Sequence, residues 1–387
     1  MTSPSVETWA TDERGPASQP GFRWSSPSRA ILARPGLAAA GDFLRLGANE
    51  SPLAPIPEVA ERMAAAYLGV NRYPDISATA LRDVLSHQQG VRADQLLIGN
   101  GSSELIHVLT SAFGGLGSEI VVSLPTFSLY AGSVGYTEAK LVSVPVSSDG
   151  TTDLNAILAA VNEQTSLVFV CNPNNPTGGY LPLSNVRDFL RATPAHVVVA
   201  LDEAYWELTD AFAAGEPSAS ALCEEFPNLV ILRTFSKFYG LAGLRIGYLI
   251  AHDESMVARL ASVRPMAMPT TVGLAGALAC VEHHAHYRIR AKEAARERAR
   301  VVNSVRDLGY EVFDTQTNFY CIPFAPGDEP FTKAGIHVRA GHTIQMPGYI
   351  RVSLGTPADN DRAIAVLSQS VQAGRGAEDA SERRGHA

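Results

Sequence analysis

Lysine is almost missing from this sequence. Of 31 basic residues only four are lysines: Lys140, Lys237, Lys292 and Lys333. With 39 acidic residues the net charge is −8, which excludes a broad basic footprint for nucleic acid or an anionic membrane surface. Long hydrophobic runs are absent too. The best, such as residues 196–201, are strand-length, far short of the roughly 18 residues of a membrane span. Cysteine is sparse: Cys171, Cys223, Cys280 and Cys321 lie far apart with no C-x-x-C pair. That excludes a disulfide framework and a zinc ribbon, and reads as reduced thiols in a cytoplasmic protein. The opening MTSPSVETWATDERGPASQP lacks the basic start and apolar core of a secretory signal. What is present is ample core material, 46% apolar against 18% charged residues.

The length of 387 residues suggests two or three domains at the usual domain size of about 150. Residues 1–20 and 372–387 are polar and aperiodic, and are expected to be disordered ends. Between them β-branched runs alternate with helical stretches, the pattern of an α/β fold with a mainly parallel sheet flanked by helices. Strands are expected at 95–98, 119–123, 140–145, 166–171, 196–201, 229–233 and 246–251. Beyond about residue 256 the texture changes. Residues 287–308 read as a long amphipathic helix, with short strands near 318–323 and 349–354, as in a smaller α+β domain. The expected division is an arm at 21–54 that joins the small domain, a large domain at 55–270 and a small domain at 271–371.

In open α/β sheets ligands sit at the carboxyl ends of strands. Three successive strands here end in unusual chemistry. SLVFVC stops at Asn172-Pro173-Asn174-Asn175-Pro176-Thr177-Gly178-Gly179, HVVVAL at Asp202-Glu203-Ala204-Tyr205, and NLVILRTF at Ser236-Lys237. The tips lie about thirty residues apart, one strand–helix–strand unit, so they can share a crevice. The asparagine run is also ordinary turn chemistry, and Asp202 could be a helix cap. Lys237 is harder to explain as structure. It alone among the lysines follows an apolar strand and precedes a small, glycine-rich segment, where a partly desolvated amine can lose its proton and form a Schiff base. Gly99-Asn100-Gly101-Ser102-Ser103-Glu104 follows a strand and opens a helix, whose free N–H groups can cradle a phosphate. Arg245 adds a fixed charge suited to bidentate phosphate contact. Amine, buried carboxylate, phenol, amide and phosphate cradle are together what pyridoxal phosphate requires.

The combination of N-P-x-N-P-T-G, D-E-A-Y and S-K-x-x-x-L-A-G-L-R-I-G resembles the fold-type I pyridoxal-phosphate aminotransferases of class I/II, most of all the histidinol-phosphate branch, across about residues 44–367. The resemblance implies that Lys237 holds pyridoxal 5'-phosphate and shuttles the substrate proton. It implies that Asp202 pairs with the pyridine nitrogen, and that Tyr205 and Asn175 bind the ring oxygen. Gly101, Ser102, Ser103, Thr234, Ser236 and Arg245 would surround the phosphate, and Tyr130 would stack on the ring. Tyr73 resembles the tyrosine that reaches the phosphate in a partner subunit, implying a homodimer with shared sites. Arg351, Arg339, Asn318 and Asn49 would contact the substrate. The chain departs from the family at Asn49-Glu50-Ser51-Pro52-Leu53, which usually reads Asn-Glu-Asn-Pro-aromatic, and at residues 264–271, which lack the usual tyrosine and asparagine. Both segments normally shape the substrate pocket.

The expected function is therefore transfer of an amino group between a small amino-acid or amino-phosphate donor and a 2-oxo acid or aldehyde. A decarboxylase or secondary-metabolism enzyme on the same cofactor is the alternative. A regulator with an aminotransferase-like domain would need a DNA-binding module, and no helix-turn-helix pattern precedes the fold. Nicotinamide binding lacks the third glycine, since position 104 is Glu. Glu282-His283-His284-Ala285-His286 reads as a solvated helix face, so no metal is expected.

Overall fold

The computed structural model describes residues 43–266 and 268–385. The expectations for 1–20 and for all but the end of 21–54 lie outside them. A short strand β1 (Leu44–Arg45) is followed by seven that form the main sheet: β2 (Leu96–Gly99), β3 (Glu119–Leu124), β4 (Lys140–Pro145), β5 (Thr165–Cys171), β6 (Val198–Asp202), β7 (Leu229–Thr234) and β8 (Gly247–Ala251). All seven expected strands are found. Their order is β2-β8-β7-β6-β5-β3-β4, and β8 alone runs against its neighbours.

Side chains alternate across this sheet because the strand period is two. Val168 and Val170 of β5 enter one core with Val199, Leu201 and Ile231. Leu167 and Phe169 enter the other with Ala200, Val230 and Leu232. Both faces are covered, so the strands read as near-continuous apolar runs and carry few polar residues. Register then fixes the site. Gly99, Gly247 and Thr234 are aligned across β2, β8 and β7. Asp202 is aligned with Cys171 across β6 and β5.

A third core is built on β9 (Phe319–Pro323), β10 (Ile336–His337), β11 (Arg339–Ala340) and β12 (Tyr349–Ser353). β12 lies between β11 and β9, both antiparallel to it, and β1 pairs with β10. The helix His284–Asp307 joins the cores, with Tyr287 and Ala291 packed in the first and Val301, Val302 and Val305 in the third.

Two expectations need correction. Helix Thr271–Glu282 packs Ala277, Ala279, Cys280 and Val281 into the first core, so the change from one core to the other falls within His284–Asp307 and not at residue 271. Its small residues let it lie close against Pro57–Tyr67, a contact that residue-by-residue polarity does not signal. The last helix runs Pro357–Gly385, through much of the segment expected to be disordered. That segment holds no proline and is rich in Ala, Glu and Arg, all favourable to helix.

Candidate functional site

The expected phosphate cradle lies where β2 and β7 end and β8 begins. Gly101 begins the helix Gly101–Phe113 with φ +77°, a conformation that favours glycine. A Cβ there would come within 2.6 Å of Arg245 Nη2, so the guanidinium lies directly over the helix N-terminus. Gly247 is equally constrained, since a Cβ would meet the Ser102 amide nitrogen at 2.6 Å. Thr234 and Ser236 are buried at the end of β7, and Arg245 Nη1 is 3.5 Å from Ser236 Oγ. Ser103 shares the first helical turn. Arg264, from one of the departing segments, braces this helix: Nη1 donates to Ile98 O at 2.6 Å, and Nε lies 3.5 Å from Glu104.

Asp202 ends β6 and is buried. Tyr130 donates to its Oδ2 at 2.8 Å, and the Ala204 amide to its Oδ1 at 3.0 Å. Burial pushes the carboxyl up to about 6, against the pull of those two donors. Lys237 Nζ donates to Asn49 O at 2.9 Å and Ala48 O at 3.2 Å, and lies 5.7 Å from the Tyr205 ring centre. Burial, then the Arg351 charge, pulls the amine down to about 7. A shift in this direction favours the neutral, nucleophilic form of the amine.

Tyr205 is buried and accepts from Asn49 Nδ2 at 2.9 Å, and burial pushes its hydroxyl up to about 12. Arg351 donates to Asn175 Oδ1 and, at 3.0 Å, to Gly47 O. Its guanidinium lies 5.2 Å from the Phe319 ring centre. Burial lowers its pKa, Nε has no partner, and among the described residues no carboxylate pairs with it. A buried guanidinium without a carboxylate partner favours an anion beside it. Arg339 stands opposite Arg351 in the β11–β12 register.

Two expected placements change. Tyr130 is 0% exposed, stacked on Phe169 with centroids 4.6 Å apart, so neither ring face is open to a cofactor. Its hydroxyl is spent on Asp202. The P-T-F-S-L-Y motif carries a second aromatic, Phe127, which is half-buried and edge-on to Tyr130 at 5.6 Å. Asn49 is 2% exposed, with Oδ1 bonded to Ser353 and Nδ2 to Tyr205, so its amide is turned to the protein and not to a substrate. Asn318 keeps a free Oδ1, while its Nδ2 is tied to the backbone of Asn49 and Glu50. Tyr73 is 89% exposed and is not gathered with the other site residues.

Sequence reasoning missed a cluster directly behind the site. Arg233 Nε and Nη2 donate to Glu203 Oε2 at 3.0 and 2.7 Å, and Nη1 donates to Glu207 Oε1 at 2.9 Å, all three side chains being buried. The signal was available: an arginine inside the apolar run LVILRT requires a buried carboxylate partner.

The donor set fits pyridoxal 5'-phosphate on its own chemistry. A near-neutral amine, a buried carboxylate for a ring nitrogen, a phenol and an amide for a ring oxygen, and a glycine cradle under an arginine meet its four functional groups. The sequence profile of "Aminotransferase class I and II" matches residues 41–367. A histidinol-phosphate aminotransferase of Geobacillus thermodenitrificans is 37% identical over 335 residues, covering 86% of this chain and 91% of its own. An aromatic amino acid aminotransferase of Rhodococcus erythropolis is 37% identical over 330 residues, covering 85% and 90%. The crystal structure of histidinol-phosphate aminotransferase from Sinorhizobium meliloti in complex with pyridoxal-5'-phosphate superposes with a TM-score of 0.79 at 28% identity, over 91% of this chain and 99% of that one. Among the described residues no helix is long and apolar enough to cross a membrane, and no group of side chains could hold a metal. The chain belongs to the class I and II aminotransferases: it is a pyridoxal-phosphate-dependent aminotransferase of fold type I, in the histidinol-phosphate aminotransferase branch.

Proposed function

We propose that this enzyme moves amino groups to and from substrates that combine an anionic group with a ring or apolar body, histidinol phosphate and aromatic amino acids being the two kinds its relatives name. The bound cofactor supplies an electron sink for the electrons of a broken substrate bond. Lys237 holds it and, once displaced by substrate, carries the proton at the substrate's α-carbon. Asp202 is the carboxylate for the pyridine nitrogen; a cation there offsets the cost of burying it. Tyr205 and Asn175 donate to the ring oxygen, Phe127 offers the ring face in place of Tyr130, and Gly101, Ser102, Ser103, Thr234, Ser236 and Arg245 take the phosphate.

The observation that carries the substrate class is the unneutralised Arg351 guanidinium, with Arg339 as its cross-strand neighbour. A cavity of about 370 Å³ opens beside Lys237 and Asn318, its walls combining Leu53, Leu208, Phe238 and Leu354 with the charged Arg290 and Glu293, and supports a partly apolar body beside the amine. Arg351→Ala should raise KM for carboxylate and phosphate donors and cut kcat/KM by about ten- to a hundredfold, while an uncharged amine donor is little affected. Equal losses for charged and uncharged donors would remove Arg351 as the anion grip.

We also propose a homodimer in which Tyr73 reaches the neighbouring site. Tyr67, Leu68, Val70, Tyr73 and Ile76 are all exposed within ten residues, a concentration of apolar surface that marks an interface. A sedimentation profile showing monomer alone would overturn it. The four thiols are free and buried, which supports the cytoplasm as its compartment.

A further inference from the structure

The direction of one proton is decided far from the ring it serves. Ser353 Oγ accepts the Asn49 backbone N–H at 2.8 Å and lies 3.0 Å from Asn49 Oδ1. A serine hydroxyl has one proton, and with the backbone N–H already received, that proton goes to the side-chain oxygen of Asn49. The reverse amide orientation would leave the Ser353 proton without an acceptor in a buried site. Asn49 therefore turns its NH₂ toward Tyr205, whose oxygen accepts it at 2.9 Å. Among the described residues Tyr205 has no other hydrogen-bond partner, so its own proton is directed outward into the site.

We propose that Ser353 and Asn49 are positioning residues that make Tyr205 accept from Asn49 and donate only toward the site, so that its proton is reserved for the ring oxygen of the cofactor. This rests on the reading above that Tyr205 meets that oxygen. Asn49 is held in a backbone conformation with φ +53°, which asparagine tolerates better than most residues, and this sets its side chain between the two hydroxyls. Ser353 lies two residues after Arg351 on β12, so both side chains leave the same face of one strand. The strand that carries the substrate's anion grip thus also sets the hydroxyl that tunes the cofactor.

A merely structural serine would leave the cofactor's electronic state unchanged, and a spectrophotometric pH titration of the holoenzyme's visible band reads that state. Donors to the ring oxygen favour its anionic form and lower the midpoint. Tyr205→Phe should raise the midpoint by roughly one pH unit or more, as loss of a hydrogen bond to a charged group implies. Ser353→Ala frees the Asn49 amide to turn and take the Tyr205 proton, so it should raise the midpoint by a measurable part of that shift, and Ser353→Thr should restore it. In the Tyr205→Phe background Ser353→Ala should add nothing. The charged groups around the Tyr205 hydroxyl, Arg351, Asp202 and Lys237, are the same in both backgrounds. If Ser353→Ala leaves the midpoint in place while Tyr205→Phe moves it, the relay is wrong. An additive shift in the double variant overturns it equally. If Tyr205→Phe itself has no effect, the placement of Tyr205 at the ring oxygen fails first. Should Ser353→Ala not fold, Asn49→Asp presents only acceptors to both hydroxyls. The part of its shift lost in the Tyr205→Phe background then measures the relay, and no lost part rejects it.

Discussion

Asp202 and Glu203 are neighbours in sequence, both buried, and in opposite electrostatic circumstances. Consecutive residues at a strand end point to opposite sides. Glu203 meets Arg233, which is also bound by Glu207; burial alone would lower the arginine's pKa, but the two carboxylates outweigh it and hold the charge firmly. Asp202 meets only neutral donors, Tyr130 and the Ala204 amide. Across the site Lys237 and Arg351 are in the same condition, desolvated and without carboxylate bonds among the described residues. One cluster is saturated and holds the strand ends together. The other is left incomplete, and an incomplete set of buried charges binds what completes it.

Breaking each side should therefore have separate consequences. The largest effect is expected from Lys237→Ala, which should abolish the visible absorbance of the attached cofactor and reduce turnover by about 10²- to 10⁴-fold or more, with thermal stability unharmed. A borohydride-trappable link at another lysine would refute the assignment. Glu203→Ala should do the reverse: leaving Arg233 short of a partner should cost on the order of 3–5 kcal/mol of stability by denaturant unfolding, with KM changed little in whatever folds. A melting curve like the wild type's would mean that Glu207 alone suffices. Asp202→Asn sharpens the contrast through a stability effect that depends on pH. The carboxyl rises from an ordinary 3.8 to about 6 on folding, so between those values the folded state binds more protons than the unfolded state. Wild-type cofactor-free protein must lose stability as pH rises through this window, by on the order of 1–3 kcal/mol, and the asparagine variant must not. The variant should thus be the more stable form above pH 6, with the gap closing toward pH 4, yet its chemical step should fall by about 10²-fold. A gap that does not change between pH 4 and 7 would show that Asp202 is not the strained group.

How much of this was legible beforehand follows the range of the interactions. The seven strands of the main sheet could be read because burial on both faces makes them dense β-branched runs, and His284–Asp307 because it is long and amphipathic. Lys237, Asp202 and Arg245 stood out as polar residues at the ends of apolar strands. Tyr130 was misplaced because the motif fixes that an aromatic follows the turn, while only packing against Phe169 decides which one faces inward. The function of Asn49 was out of reach for a similar reason. Its partners Tyr205 and Ser353 lie 156 and 304 residues away, and nothing local encodes their meeting.

That separation of 304 residues between Asn49 and Ser353 also orders events during synthesis. Ribosomes add about 5–20 residues per second, so roughly 15–60 s pass between the emergence of the first residue and that of its partner. Throughout that interval the segment around Asn49 has no hydroxyl to dock on. Lys237 and Tyr205 are already translated, but the strand that closes over them is not. A chain arrested before β12 can carry the entire seven-stranded sheet and still lack a finished site. Such a chain has the groups proposed to take the cofactor and lacks the guanidinium proposed to grip the substrate, so the order of synthesis sets the cofactor site ahead of the substrate site.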